Sequence, residues 1–160
     1  MASQWRGTFS RDGAYFAYST GGSRISEKEV LFAAKTEDAG DPAKHVKIGE
    51  DISRWQISLN SKRVYYYKQY NYNTEGEPAG TLTMADFPSG ANDTTLGGRV
   101  GAYVLLNDGT ANDTGLAIFQ NVSAGKGTLK IMGDPSQPQS LVTVASNIAC
   151  LLYTSDAADE

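Results

Sequence analysis

Trp55-Gln-Ile-Ser-Leu-Asn-Ser-Lys-Arg-Val-Tyr-Tyr-Tyr67 decides how the rest of the chain is read. Its first half is strand-like, Asn60-Ser61 are turn formers, and the aromatic run that follows is strand-like again. The stretch has counterparts 48 residues upstream and 48 residues downstream. Asp12, Asn60 and Asp108 share this spacing, and Gly13, Ser61 and Gly109 follow in step. Phe9, Ile57 and Leu105 precede them by three positions. Ile48, Leu96 and Val144 keep the same register, as do Ile52, Val100 and Ile148, and Trp55 pairs with Tyr103. Leu31, Leu82 and Leu129 slip by a few residues, as loops of unequal length permit.

Working outward, the alternation of apolar and polar residues predicts strands at 15–19, 29–34, 45–49, 54–58, 63–69 and 80–86. The cycle resumes with a short strand at 94–96, then 102–106, 115–122, 128–132 and 140–145. The polar stretches 37–44, 70–80 and 133–139 are loops, and Asn107-Asp-Gly109 is a strong hairpin turn. No segment has the pattern of an amphipathic helix.

Composition agrees with this β-rich reading. Of 160 residues, nine are Tyr and 17 are Gly, with 40% apolar and 20% charged residues, so the chain is globular in type. A net charge of −4 without a basic patch gives nucleic acid no purchase. No apolar run approaches the ~18 residues of a membrane span. Met1–Arg6 lacks the apolar core of a signal peptide. The single Cys150 excludes an intrachain disulfide framework.

Cys150-Leu-Leu-Tyr-Thr-Ser-Asp-Ala-Ala-Asp-Glu160 does not continue the repeat. It resembles a translated transposase-type sequencing adapter along its whole length. That resemblance implies that 150–160 is a non-native tail and that the natural sequence stops at Ala149 in this chain. The natural part would then carry a net charge of −1, the −4 of the whole less Asp156, Asp159 and Glu160.

Four strands per 48 residues predict an all-β fold: a partial β-propeller of about three four-stranded antiparallel blades, with repeats around 5–52, 53–100 and 101–149. A single blade cannot bury its apolar faces alone, and stacking neighbours buries them. Phe9-Ser-Arg-Asp-Gly-Ala-Tyr-Phe-Ala-Tyr18 resembles the repeat of TolB-like, WD-repeat-like bacterial β-propellers. Ile57–Tyr66 is a weaker copy with Asn60-Ser61 in place of Asp-Gly, and the third copy keeps only Asn107-Asp108-Gly109. The resemblance spans about 5–149 and implies a periplasmic or extracytoplasmic setting. Three repeats fall short of the ~4–8 blades of a closed ring. The chain is therefore expected to be a fragment whose partners include the missing blades of the same propeller.

Catalytic chemistry finds little support. The lone His45 sits beside Lys44 and Lys47, and no Gly-x-Ser-x-Gly elbow is present. Gly125-Lys-Gly-Thr lacks the spacing of a phosphate loop. No zinc site, metal site or cofactor is expected, and the fragment is read as no enzyme. The best polar cluster is Asn71, Asn73, Glu75 and Glu77, a candidate binding loop that begins like a calcium loop. The acid expected at its twelfth position falls on Leu82, so the calcium pattern fails there. Asp12, Gly13, Asn60, Ser61, Asp108 and Gly109 are read as structural turns. Asn92, Asn112 and Asn121 match the glycosylation pattern, which matters only in a eukaryotic secretory setting.

The expected function is a non-catalytic propeller scaffold that binds a protein or peptide. One alternative is the propeller of a prolyl-oligopeptidase-type serine peptidase without its catalytic domain. Another is a propeller that binds carbohydrate or calcium through the 71–77 loop.

Overall fold

The computed structural model describes residues 6–21, 28–72, 78–110, 113–134, 137 and 140–149. Ten strands follow one another: β1 (Arg6–Phe9), β2 (Tyr15–Gly21), β3 (Glu29–Lys35), β4 (Val46–Ile57), β5 (Arg63–Tyr72), β6 (Pro78–Asp86), β7 (Thr94–Asn107), β8 (Asp113–Ser123), β9 (Lys126–Met132) and β10 (Val142–Ala149). They are ordered in the sheet as in the sequence. The fold is all-β, with the strand pattern of a partial β-propeller. Two single-turn 3-10 helices, Thr36–Asp38 and Pro42–Lys44, occupy the loop before β4.

The strands differ in number from the sequence reading at three places, and elsewhere ends move: β5 runs to Tyr72 and β6 starts at Pro78, inside the expected loop 70–80, and β10 spans Val142–Ala149 rather than 140–145. Strands expected at 45–49 and 54–58 are one strand, β4, and those at 94–96 and 102–106 are one strand, β7. The polar residues between them are bulges, not breaks. Asp51 and Arg54 in β4 and Arg99 in β7 take φ values of 53°, 46° and 52°, which bend the strand without ending it. Register shifts accompany them, between Ser53 and Gln56 against β5 and between Val100 and Ala102 against β8. The third difference is β1, ahead of the first expected strand at Tyr15. Its four residues are too few for alternation to show.

The 48-residue register is written in the backbone as well as in the side chains. Asp51, Arg99 and Asn147, each 48 apart, have φ values of 53°, 52° and 58°. Gly13, Ser61 and Gly109 have φ values of 71°, 56° and 82°. The left-handed region costs an L residue roughly 1–2 kcal/mol unless it is Gly, Asn or Asp, whose short polar side chains bond locally. Four of these six positions hold Gly, Asn or Asp, and only Arg99 and Ser61 depart from that preference, so sequence and backbone largely agree.

Backbone contacts divide the chain into two units, Met1–Tyr70 with Thr81–Leu96, and Asn71–Gly80 with Gly97–Glu160. In the first unit, β1–β2, β2–β3, β3–β4 and β4–β5 pair antiparallel. Its core gathers Ala17, Leu31, Ala33, Ile48, Ile52, Val64, Tyr66, Ala85 and Phe87. Alternation supplies it: Ala17 and Ser19 of β2 are buried while Phe16 and Tyr18 on the other face are half-buried. Burying a Leu or Ile side chain in this way contributes about 1.5–3 kcal/mol.

In the second unit, β7–β8, β8–β9 and β9–β10 pair antiparallel around the fully buried Leu116, Ile118 and Met132. Ala124 and Gly125, with φ of 49° and 72°, turn β8 into β9. Two central residues at positive φ define the hairpin turn that matches strand twist. Gly125-Lys-Gly-Thr is thus the end of a tight hairpin and the start of β9.

Candidate functional site

The repeated turns come first, because they position the site. In each one an Asx side chain accepts the backbone N–H two residues on. Asp12 Oδ1 accepts from Ala14 N at 3.0 Å, Asn60 Oδ1 from Lys62 N at 3.0 Å, and Asp108 Oδ1 from Thr110 N at 2.9 Å. Two repeats add a serine. Ser10 Oγ donates to Asp12 Oδ1 at 2.6 Å and accepts from Tyr15 N at 2.9 Å. Ser58 Oγ donates to Asn60 Oδ1 at 2.8 Å and accepts from Arg63 N at 3.0 Å. Leu106 stands at the corresponding place in the third repeat, and there Asn107 Oδ1 accepts from Gly109 N at 3.0 Å. The Ser10 hydroxyl, and then the Ala14 N–H, hold the Asp12 carboxyl below its ordinary value.

Within the first unit, an open cleft of about 630 Å³ lies between the first two of these turns. Gly7, Thr8 and Phe9 of β1 and Arg11 of the first turn form one side. Trp55, Gln56 and Ile57 of β4 and Ser58, Leu59 and Ser61 of the second turn form the other. One hydrogen bond ties the sides together, from Arg11 N to Ser61 Oγ at 2.9 Å. Phe9 is 65% exposed and Leu59 40% exposed, large values for apolar side chains beside a concavity. The Trp55 Nε1–H is buried with no acceptor among the described residues. An indole N–H is a donor only, and a buried donor without an acceptor costs about 1–3 kcal/mol. Among the described residues, β1 stands first in the strand order and pairs only with β2, so no described strand lies along its second edge.

The cleft combines an aromatic and aliphatic lining, one guanidinium and the edge of a strand. Such a surface can take an extended chain: apolar side chains against Phe9 and Leu59, and a carboxylate at Arg11. Among the described residues that line it there is no nucleophile–base pair.

Of the sequence-derived candidates, Ser61 alone lines the cleft. Asn71 lies in β5, with its side chain outside the described residues, and Asn73, Glu75 and Glu77 lie outside them altogether. Asp108 and Gly109 belong to the second unit. His45 precedes β4 and is committed to the protein. Its Nε2 faces the Asp38 carbonyl at 3.3 Å, which can only accept, and its Nδ1 is 2.7 Å from the Tyr18 hydroxyl. In the neutral ring Nε2 is then the donor and Nδ1 the acceptor. Among the described residues no three His, Cys, Asp or Glu gather as a metal site would require, and no helix is long and apolar enough to cross a membrane. The residues missed by sequence reasoning are Arg11, Trp55 and Leu59 as neighbours across a cleft. The available signal was Trp55, an indole where the matching residue of the next repeat is Tyr103.

No family model matches the sequence, and no curated protein matches it. Among solved structures, the crystal structure of the tricorn protease is similar at 10% identity and a TM-score of 0.33, covering 88% of this chain and 22% of that one. The crystal structure of the eukaryotic initiation factor is similar at 10% identity and a TM-score of 0.30, covering 94% of this chain and 45% of that one. The chain thus spans less than half the length of either. Likeness at this level assigns neither a family nor an activity.

Proposed function

We propose that this chain is a β-propeller-type repeat scaffold, of the TolB-like kind, that binds an extended peptide or protein segment in the cleft between β1 and the β4–β5 turn. The observation that carries this reading is the pair of large apolar side chains, Phe9 and Leu59, that stay exposed on the lining of the cleft. Exposed Phe9 and Leu59 supply apolar contact, and Arg11 favours a carboxylate nearby. No covalent step belongs to this function.

The test is selection of a displayed heptapeptide library on the immobilised chain, with the Trp55→Ala chain as counter-selection. Recovered peptides are then titrated against the Trp5→Phe variant, leaving Trp55 as the reporter. The expected result is saturable quenching or a spectral shift of Trp55, weakened at least tenfold in Leu59→Ser. Peptides that bind wild type and Trp55→Ala equally, or no enrichment at all, would overturn the reading.

A further inference from the structure

The two sides of the cleft are the same stretch of consecutive repeats. Trp55, Ile57 and Leu59 on one side stand 48 residues after Gly7, Phe9 and Arg11 on the other. β1 and the end of β4 each run into a turn, and the two turns meet: the bond from Arg11 N to Ser61 Oγ joins them at 2.9 Å. The cleft therefore has a closed end at the turns. An extended chain laid along the strands toward that end stops where the two sides come together.

Two groups at the closed end suit a carboxylate. Arg11 is the one charged residue among those described on the cleft lining. It is exposed, and its guanidinium enters no ion pair among the described residues. A guanidinium presents paired N–H donors that match both oxygens of a carboxylate. The second group is the Ser61 hydroxyl. A hydroxyl has one donor besides its acceptor positions. Ser61 Oγ accepts from Arg11 N and donates to no described group, which leaves its proton for a ligand at this end. The serine sits at φ 56°, where its matches Gly13 and Gly109 are free of a Cβ, so a side chain is held where glycine would meet less strain. Phe9 and Leu59, both exposed, each precede one of these donors by two residues.

We infer that the closed end of the cleft captures the C-terminal carboxylate of a bound peptide, with Arg11 and Ser61 holding its oxygens and Phe9 and Leu59 taking its last side chain. The inference rests on the peptide-binding reading and adds to it a direction and an end: the peptide lies along the strands and finishes at the turns. A terminal carboxylate is favoured over that of an Asp or Glu side chain, because a chain bearing the latter has to continue past the joined turns. Capture of a chain terminus by converging donors is an established mode of peptide recognition. Binding makes and breaks no covalent bond.

The test passes three pools of N-acetylated heptapeptides over the immobilised chain and reads the retained peptides by mass spectrometry. All end in Leu and are otherwise random in neutral residues. One pool has a free C-terminal carboxylate, one is C-terminally amidated, and one is amidated with Glu placed before the Leu. Wild type is expected to retain the free-carboxylate pool about tenfold better than either amidated pool, the discrimination that one hydrogen bond to a charged group supplies. Arg11→Gln brings the free and amidated pools to near parity, and Ser61→Gly reduces the preference, each with the β-type circular dichroism of wild type and unchanged retention of the amidated pool. Leu59→Ser weakens all three pools alike. Equal retention of the free and amidated pools, a Glu pool held as well as the free one, or a preference unmoved by Arg11→Gln would each overturn the inference but not the peptide-binding reading. Retention of no pool would overturn both.

Discussion

The Tyr66 hydroxyl donates to Asp93 Oδ2 at 3.2 Å, and the Lys68 ammonium reaches the same oxygen at 2.6 Å. Burial first, then the Asp93 charge and this hydrogen bond, push the Tyr66 phenol well above its ordinary value of 10.0. The folded state therefore resists ionisation that the unfolded chain accepts. The neutral phenol's contribution is fully present below pH 10.0 and is lost as pH rises above it. Tyr66→Phe is expected to cost about 1 kcal/mol at neutral pH, the usual net value of one hydrogen bond. The gap from wild type should narrow above pH 10.0, because the variant has no phenol to ionise. Urea melts across that range read it directly, and a pH-independent gap counts against the assignment.

Asp12 titrates with the opposite sign. Its carboxyl is held below 3.8, so its support of the first turn is present above that pH and lost as pH falls through the lowered value. Asp12→Asn is expected to melt with wild type at neutral pH, because Asn60 makes the same two bonds in the second repeat. Asp12→Ala should melt lower, having no oxygen for Ala14 N. On acidification, wild type should lose more of its melting temperature than Asp12→Asn. Parallel acid profiles would show that the turn is indifferent to the charge.

Gly127 and Gly98 predict opposite responses to one methyl group. A Cβ on Gly127 would lie 2.7 Å from Phe119 Cζ and 2.9 Å from the Gln120 carbonyl, while one on Gly98 meets nothing within 4 Å. Gly127→Ala is expected to cost about 1–3 kcal/mol by overpacking. Gly98→Ala should be neutral, or stabilise by up to about 1 kcal/mol through the unfolded chain. Denaturant midpoints of the two variants measure the contrast.

Ser61 isolates the backbone cost of the second turn. Its φ is 56°, where its matches Gly13 and Gly109 are glycine. Ser61→Gly and Ser61→Ala both lose the oxygen that accepts from Arg11 N. They differ in that Ala must hold the left-handed region, so Ser61→Ala should be the less stable by about 1–2 kcal/mol. Equal midpoints would mean that the turn relaxes away from positive φ.

The turns were legible in the sequence because their chemistry is local: Asp12, Asn60 and Asp108 act on atoms two residues away. The register was legible because Ile52 and Val100 must both be apolar to fill a core. Strand continuity was not. Glu50-Asp51 and Gly98-Arg99 have the polar look of loops, and only pairing on both sides makes them bulges. The cleft was hidden for a related reason. Arg11 and Ser61 lie 50 residues apart, and nothing in either stretch says that the turns meet. Of Asn71 to Glu77, the stretch singled out in the sequence, Asn71 and Tyr72 lie in β5 and the others lie outside the described residues.

β4 has a mechanical consequence. Its first half is bonded to β3 and its second half to β5, with no linker where one repeat passes into the next. A pull on either repeat is therefore carried by the same continuous strand, with no slack to absorb it. A protease finds no seam at this boundary, and neither repeat can melt without peeling hydrogen bonds from a strand that the other needs. The first two repeats should exchange their amide protons as one block, although the sequence counts them as two.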